Sequence, residues 1–192
     1  AWFPDLDADQ HVNDYLGDGR LTPVHTPGLP LLLIPAHVLL ENPTRAARAT
    51  MLVISALTLL QVYLLSSEMT GSRRWALAAW LVLATSVPTL YLSGQVYPDV
   101  AAAPVILLAV RGVRRLPALR WTIALALAIC FLPLLHVRFI PVSLTLGVAA
   151  LLRFRRESAS GALRAFLALC LLGGTGFVLF YVSNYGNPLS NA

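Results

Sequence analysis

Ala46 to Ser66 reads AARATMLVISALTLLQVYLLS, and Trp75 to Ser93 reads WALAAWLVLATSVPTLYLS. Each run has about twenty residues and no acidic side chain. An α-helix of that length, rising about 1.5 Å per residue, crosses the roughly 30 Å hydrocarbon core of a bilayer. The two runs therefore predict two membrane-spanning helices and decide the fold class, an all-α polytopic bundle. The rest of the composition agrees: of the 192 residues, 57% are apolar and 12% charged, and the mean hydropathy is +0.71. Soluble domains average about 45–50% apolar and about 25% charged. Disordered, collagen-like and disulfide-built classes fail on the same figures. Cys130 and Cys170 both sit in apolar runs and read as small buried hydrophobes.

Working outward from the two runs, residues 1–28 hold five of the nine acidic residues together with Gly, Pro and Asn, the composition of a loop outside the bilayer. Leu29–Leu40 follows, apolar but only about 18 Å long as a helix and interrupted by Pro30 and Pro35. It predicts one short interfacial or re-entrant helix. Val100–Val110 spans only if Pro98 and Asp99 form its first turn, where both residue types are favourable. Trp121–Leu135 and Phe139–Leu152 flank His136-Val137-Arg138. Two helices meeting at a membrane face are expected there, since one long helix would put His136 and Arg138 near mid-membrane at a cost of several kcal/mol. The last run, Ala165–Ser183, carries Gly173-Gly174-Thr175-Gly176, small residues that let a neighbouring helix approach closely. Residues 29–192 thus read as a helical module of about six spanning helices plus the short one, and the two ends of the chain read as cuts from a longer protein.

All fourteen basic residues are arginine. Ten fall in three connections: Arg73 and Arg74; Arg111, Arg114, Arg115 and Arg120; Arg153, Arg155, Arg156 and Arg164. Arginine-rich connections stay in the cytoplasm. Residues 1–45, Gly94–Asp99, the His136–Arg138 bend and the tail after Asn184 are then expected outside, in a multi-pass protein of the cell inner membrane. That sidedness sends all four histidines and seven of the nine acidic residues to the external face, so any chemistry is expected there.

Several constellations stand out on that face. Asp5, Asp7 and Asp9 alternate, so in an extended segment their carboxylates share one side, suited to a divalent cation or to general-base work. A plain solvated acidic loop fits equally well. His25 precedes the short apolar run, as a water-boundary anchor or as a ligand. His136 and Arg138 set an imidazole and a guanidinium in an apolar hairpin, where such groups face a cavity or a partner, and arginine suits a phosphate. Asp99, behind Tyr97-Pro98, is a helix-capping acid or a partner for Arg138.

These pieces together resemble a family. An acidic first loop, the stretch His25-Thr26-Pro27-Gly28-Leu29-Pro30-Leu31-Leu32-Leu33-Ile34-Pro35-Ala36, the Tyr97-Pro98-Asp99 loop and the Leu-His-Val-Arg-Phe bend resemble GT-C glycosyltransferases, as does the ending Asn184-Tyr185-Gly186-Asn187-Pro188-Leu189. The resemblance implies an enzyme that moves a sugar, with inversion or retention, from a polyprenyl-phosphate carrier to an acceptor outside the cytoplasmic membrane. It implies a catalytic base among Asp5, Asp7 and Asp9. Donor-phosphate contacts would come from Arg138, His136, Asp99 and Tyr97. In members that use a divalent metal ion, the ligands would be His25 and His136. The partners expected are the lipid-linked sugar donor and membrane lipid, and no nucleic acid. Two other readings of the same residues are a transporter or lipid-handling protein whose path is lined by Asp99, His136 and Arg138, and a non-catalytic membrane subunit in which they only fix helix packing. A transporter would show repeated broken helices in both halves, and no such repeat is visible.

Overall fold

The computed structural model describes residues 27–185, and among them there are helices and turns but no strand. The expected spans Ala46–Ser66 and Ala165–Ser183 lie within α2 (Pro43–Thr70) and α8 (Ser160–Tyr185). Asn42 caps α2 by accepting the Arg45 N–H at 3.0 Å, and Pro43 occupies the first turn, where its missing donor costs nothing. Gly71, at φ +65°, ends the helix in the left-handed region. Among the described residues, three helical stretches are long and apolar enough to cross a membrane, namely Pro43–Thr70, Val137–Arg156 and Ser160–Ser183. The molecule is accordingly an all-α membrane protein.

Trp75–Ser93 departs from the expected single span. It is two pieces, α3 (Arg73–Ala84) and α4 (Val87–Leu92), with Ser86 in an extended conformation between them. Pro88 is the cause: in a continuous helix it would lack the donor for the Ala84 carbonyl and its ring would collide with that carbonyl. Hydroxyl groups occupy the break, since Thr85 Oγ1 donates to the Leu81 carbonyl and Ser86 Oγ to that of Leu83, both at 2.8 Å. Apolar composition is blind to this proline, which is why the run read as unbroken.

The remaining helices fall on the expected apolar runs, but among the described residues only three of the about six expected spans are long and apolar enough to cross a membrane. The short helix α1 (Gly28–Leu39) has the length foreseen for it, and Pro98 and Asp99 do form the first turn of α5 (Pro98–Arg114). The His136 region breaks the chain between α6 (Leu119–Leu135) and α7 (Ile140–Arg156), with a single 3-10 turn at Val137–Phe139. There are two helices here, as the cost of a mid-membrane arginine required. Helix α6 is central, packing against α5, α7, α8 and α1. Its Leu125, Leu132 and Leu135 join Met51 and Ile54 of α2, Ala109 of α5 and Phe154 of α7 in one core.

Two glycines let helices meet at backbone distance. A Cβ on Gly28 would lie 2.5 Å from the Leu134 carbonyl oxygen, so the start of α1 rests directly on the end of α6. Helix α2 starts three residues after α1 ends and runs away toward the opposite end of the bundle. The start of α1 is therefore held at the end of the bundle where α6 finishes. At Gly173 a Cβ would meet Cys130 Sγ at 2.5 Å and Cβ at 2.8 Å, whereas Gly174 and Gly176 have open space. Only one glycine of the expected small-residue patch is a helix-contact residue. Gly173→Ala is expected to destabilise the protein by about 1–3 kcal/mol through overpacking. Gly174→Ala stays within about 0.5 kcal/mol. Unfolding midpoints of the two detergent-solubilised variants measure the difference.

Candidate functional site

Polar groups collect at the two ends of the bundle. At one end, the first turn of α5 presents Asp99, and the bend between α6 and α7 presents His136 and Arg138. Arg138 Nη2 donates to Asp99 Oδ2 across 39 positions of sequence, forming an ion pair. The His136 ring accepts the Arg138 backbone N–H on Nδ1 at 3.2 Å, which caps the 3-10 turn and aims the guanidinium. The Arg138 guanidinium also lies 5.4 Å from the Phe139 ring centroid. Of the two roles open to Asp99 in the sequence, partnership with Arg138 is the one observed, while its position in the first turn also suits the helix dipole.

Asp99 and Arg138 are each about half exposed, at 52% and 49%. Such a pair contributes little to stability, of order 1 kcal/mol or less. A guanidinium has five N–H donors, and the bond to Asp99 uses one of them. Among the described residues, Arg138 is held by Asp99 with most of its donors unengaged. Tyr97, the residue before the first turn of α5, is exposed beside this pair.

Next to the bend lies an open apolar groove of about 450 Å³ between α6, α7 and α8. Pro133 and Ile140 line it on either side of the His136–Arg138 segment, and Leu151 and Phe166 line it further along. Its one buried polar atom without a hydrogen-bond partner is Ser143 Oγ, in a residue only 6% exposed. Asp5, Asp7, Asp9 and His25 lie outside the described residues, so their expected convergence with Asp99 and Arg138 belongs to the part of the chain not described. Among the described residues no three His, Cys, Asp or Glu side chains cluster as a metal site.

The other end holds a network that the sequence reading did not identify. Arg111 was assigned to the basic connection after α5, but it is in the last helical turn and 6% exposed. Its Nε and Nη2 both donate to Glu68 Oε1, at 2.8 and 2.6 Å, and its Nη1 donates to Gln61 Oε1 at 2.5 Å. Arg115 Nη2 reaches the same Glu68 oxygen at 2.6 Å. Both guanidinium groups lie against Trp121 of α6, at 5.3 and 4.7 Å from its ring centroid. The sequence did carry a signal: Gln61 and Glu68 are seven apart, Arg111 and Arg115 four apart, so each pair shares a helix face.

No family model, curated protein or solved structure matches the chain.

The two ion pairs are expected to respond differently to loss of the acid. Glu68→Gln leaves Arg111 buried without its counter-charge and costs about 3 kcal/mol. Asp99→Asn costs about 1 kcal/mol or less, because Arg138 is half hydrated. Unfolding midpoints in detergent distinguish them.

Proposed function

We propose that this chain is the membrane module of a glycosyltransferase that takes a sugar from a polyprenyl-phosphate carrier on the side of the membrane opposite its arginine clusters. The observation that carries the reading is a half-exposed guanidinium, Arg138, two residues along the chain from Ile140, which lines an open apolar groove between α6, α7 and α8. A lipid phosphate needs a fixed cation with spare donors, and its isoprenoid chain needs an apolar channel reachable from the bilayer. Both needs are met within a few residues of each other. The resemblance of the His25–Ala36 stretch, Tyr97-Pro98-Asp99 and the bend to GT-C enzymes points the same way.

In this reading Arg138 donates parallel hydrogen bonds to the carrier phosphate, and Asp99 and His136 keep its side chain and backbone in position. Tyr97 adds a hydroxyl beside the phosphate. A carboxylate of Asp5, Asp7 or Asp9 accepts the proton of the acceptor hydroxyl as that oxygen bonds to the anomeric carbon. The bond from that carbon to the phosphate oxygen breaks, and polyprenyl phosphate leaves with its added negative charge on Arg138. Residence in the inner membrane with the site outside it belongs to the same proposal.

Two measurements test it. With polyprenyl-phosphate-linked hexose and pentose donors, Arg138→Lys is expected to raise the donor KM about tenfold, because a point charge cannot reproduce bidentate geometry. Replacing the three loop aspartates by asparagine is expected to leave that KM unchanged and lower kcat about 100-fold or more. Full activity in both variants would overturn the residue assignments, and no transfer from any donor would overturn the reading. For sidedness, single cysteines at Tyr97 and Arg120 are placed in a chain with Cys130 and Cys170 changed to alanine. They are expected to react with an impermeant maleimide from opposite sides of the membrane. Labelling of both from one side refutes the topology.

A further inference from the structure

The last turns of α5 and α7 meet at the arginine-rich end, and a second cleft of about 330 Å³ lies there, lined by Val113, Arg114 and Arg153. Two like charges converge on it. Arg153 Nη2 is paired with Glu157 Oε1 at 2.9 Å, a contact within one helix, but its Nε is shielded from solvent and has no acceptor. Arg114 makes no ion pair or hydrogen bond among the described residues through its side chain, and nothing neutralises it. Two guanidinium groups on the wall of one cleft suit an anion with oxygen acceptors that can face both.

The surroundings indicate which anion. Ten arginines are assigned to this end, and its two acids, Glu68 and Glu157, are already engaged with arginines, leaving a strong positive excess. The cleft is at the end of two apolar helices, with Val113 in its wall and the neighbouring Leu152 52% exposed. A phosphate entering here from the bilayer would keep its chains against apolar helix surface. A soluble phosphate would gain nothing from that surface. Basic pockets between transmembrane helices at the cytoplasmic boundary suit anionic lipid headgroups on general electrostatic grounds.

We propose that this cleft binds the phosphate of an anionic membrane phospholipid, held between the guanidinium groups of Arg114 and Arg153 through their exposed Nη donors. The site lies at the opposite end of the bundle from Asp99 and Arg138 and does not depend on the transfer chemistry proposed above. Its role is to fix the ends of α5 and α7 relative to each other by bridging Arg114 of α5 and Arg153 of α7.

The test uses the full chain in nanodiscs of equal parts phosphatidylglycerol and phosphatidylcholine, with lipids retained on the released protein counted by native mass spectrometry. The wild type is expected to retain one phosphatidylglycerol in preference to phosphatidylcholine. Arg114→Gln with Arg153→Gln is expected to lower that retention on the order of 20-fold, about 5-fold for each arginine. Arg73→Gln with Arg74→Gln removes the same charge from the same end but outside the cleft, and retention is expected to hold within about threefold, because distant exposed charges are screened. Arg153→Lys keeps the charge and loses the planar fork of Nη donors, and is expected to fall well below wild type. Equal retention of both lipids by the wild type, equal loss in the two double variants, or displacement of the lipid by an equal concentration of glycerol 1-phosphate would each overturn the proposal. Circular dichroism of every variant confirms that the helices are intact before retention is compared.

Discussion

Arg111 is the group on which the arrangement of helices most depends. A guanidinium cannot lose its charge, and at 6% exposure it cannot keep its water. It is tolerable only because Glu68 and Gln61 come to it from α2 and Trp121 from α6. These partners are 43, 50 and 10 positions away, so satisfying one side chain fixes three helices in register. In an apolar medium, side-chain packing alone gives helices little reason to prefer one rotation over another. A charge that must be compensated removes that freedom. Breaking such a pair is far more costly than its net contribution suggests, which makes it a device of specificity as much as of stability.

From this fixed end the helices carry their register to the other. Helix α5 delivers Asp99, and α6 delivers the bend that carries His136 and Arg138. The Asp99 to Arg138 pair looks similar on paper but is physically different. It is half exposed and energetically light, so exchange of one acceptor for another at Arg138 is cheap. A buried pair holds the scaffold, and a wet pair remains available for a ligand. The two ends thus set chemically identical ion types in different surroundings, one pair buried and the other wet.

Close contacts complete the frame. Gly28 lets α1 lie against the backbone of Leu134 and Leu135, at the end that also carries Arg138, and Gly173 lets α8 touch Cys130. The apolar groove lies between α6, α7 and α8, and the Ser143 hydroxyl is its buried polar group without a partner among the described residues.

Much of this was legible in the sequence because a bilayer allows few solutions. Runs of about twenty apolar residues, arginines between them and prolines at Pro98 and Pro141 determined the helical class, the short α1, the start of α5 and the separation of α6 from α7. The pairing of Asp99 with Arg138 was one of two open roles, since spacing along a chain cannot say which residues 39 positions apart will meet. The break at Thr85–Ser86 was missed because hydropathy averages over a proline that backbone hydrogen bonding cannot ignore. Arg111 was read as part of a solvated connection because its sequence neighbours Arg114 and Arg115 are exposed. Only the tertiary structure decided that this one arginine turns inward, and the physical reason is that Glu68, Gln61 and Trp121 had to be packed around it before its burial became affordable.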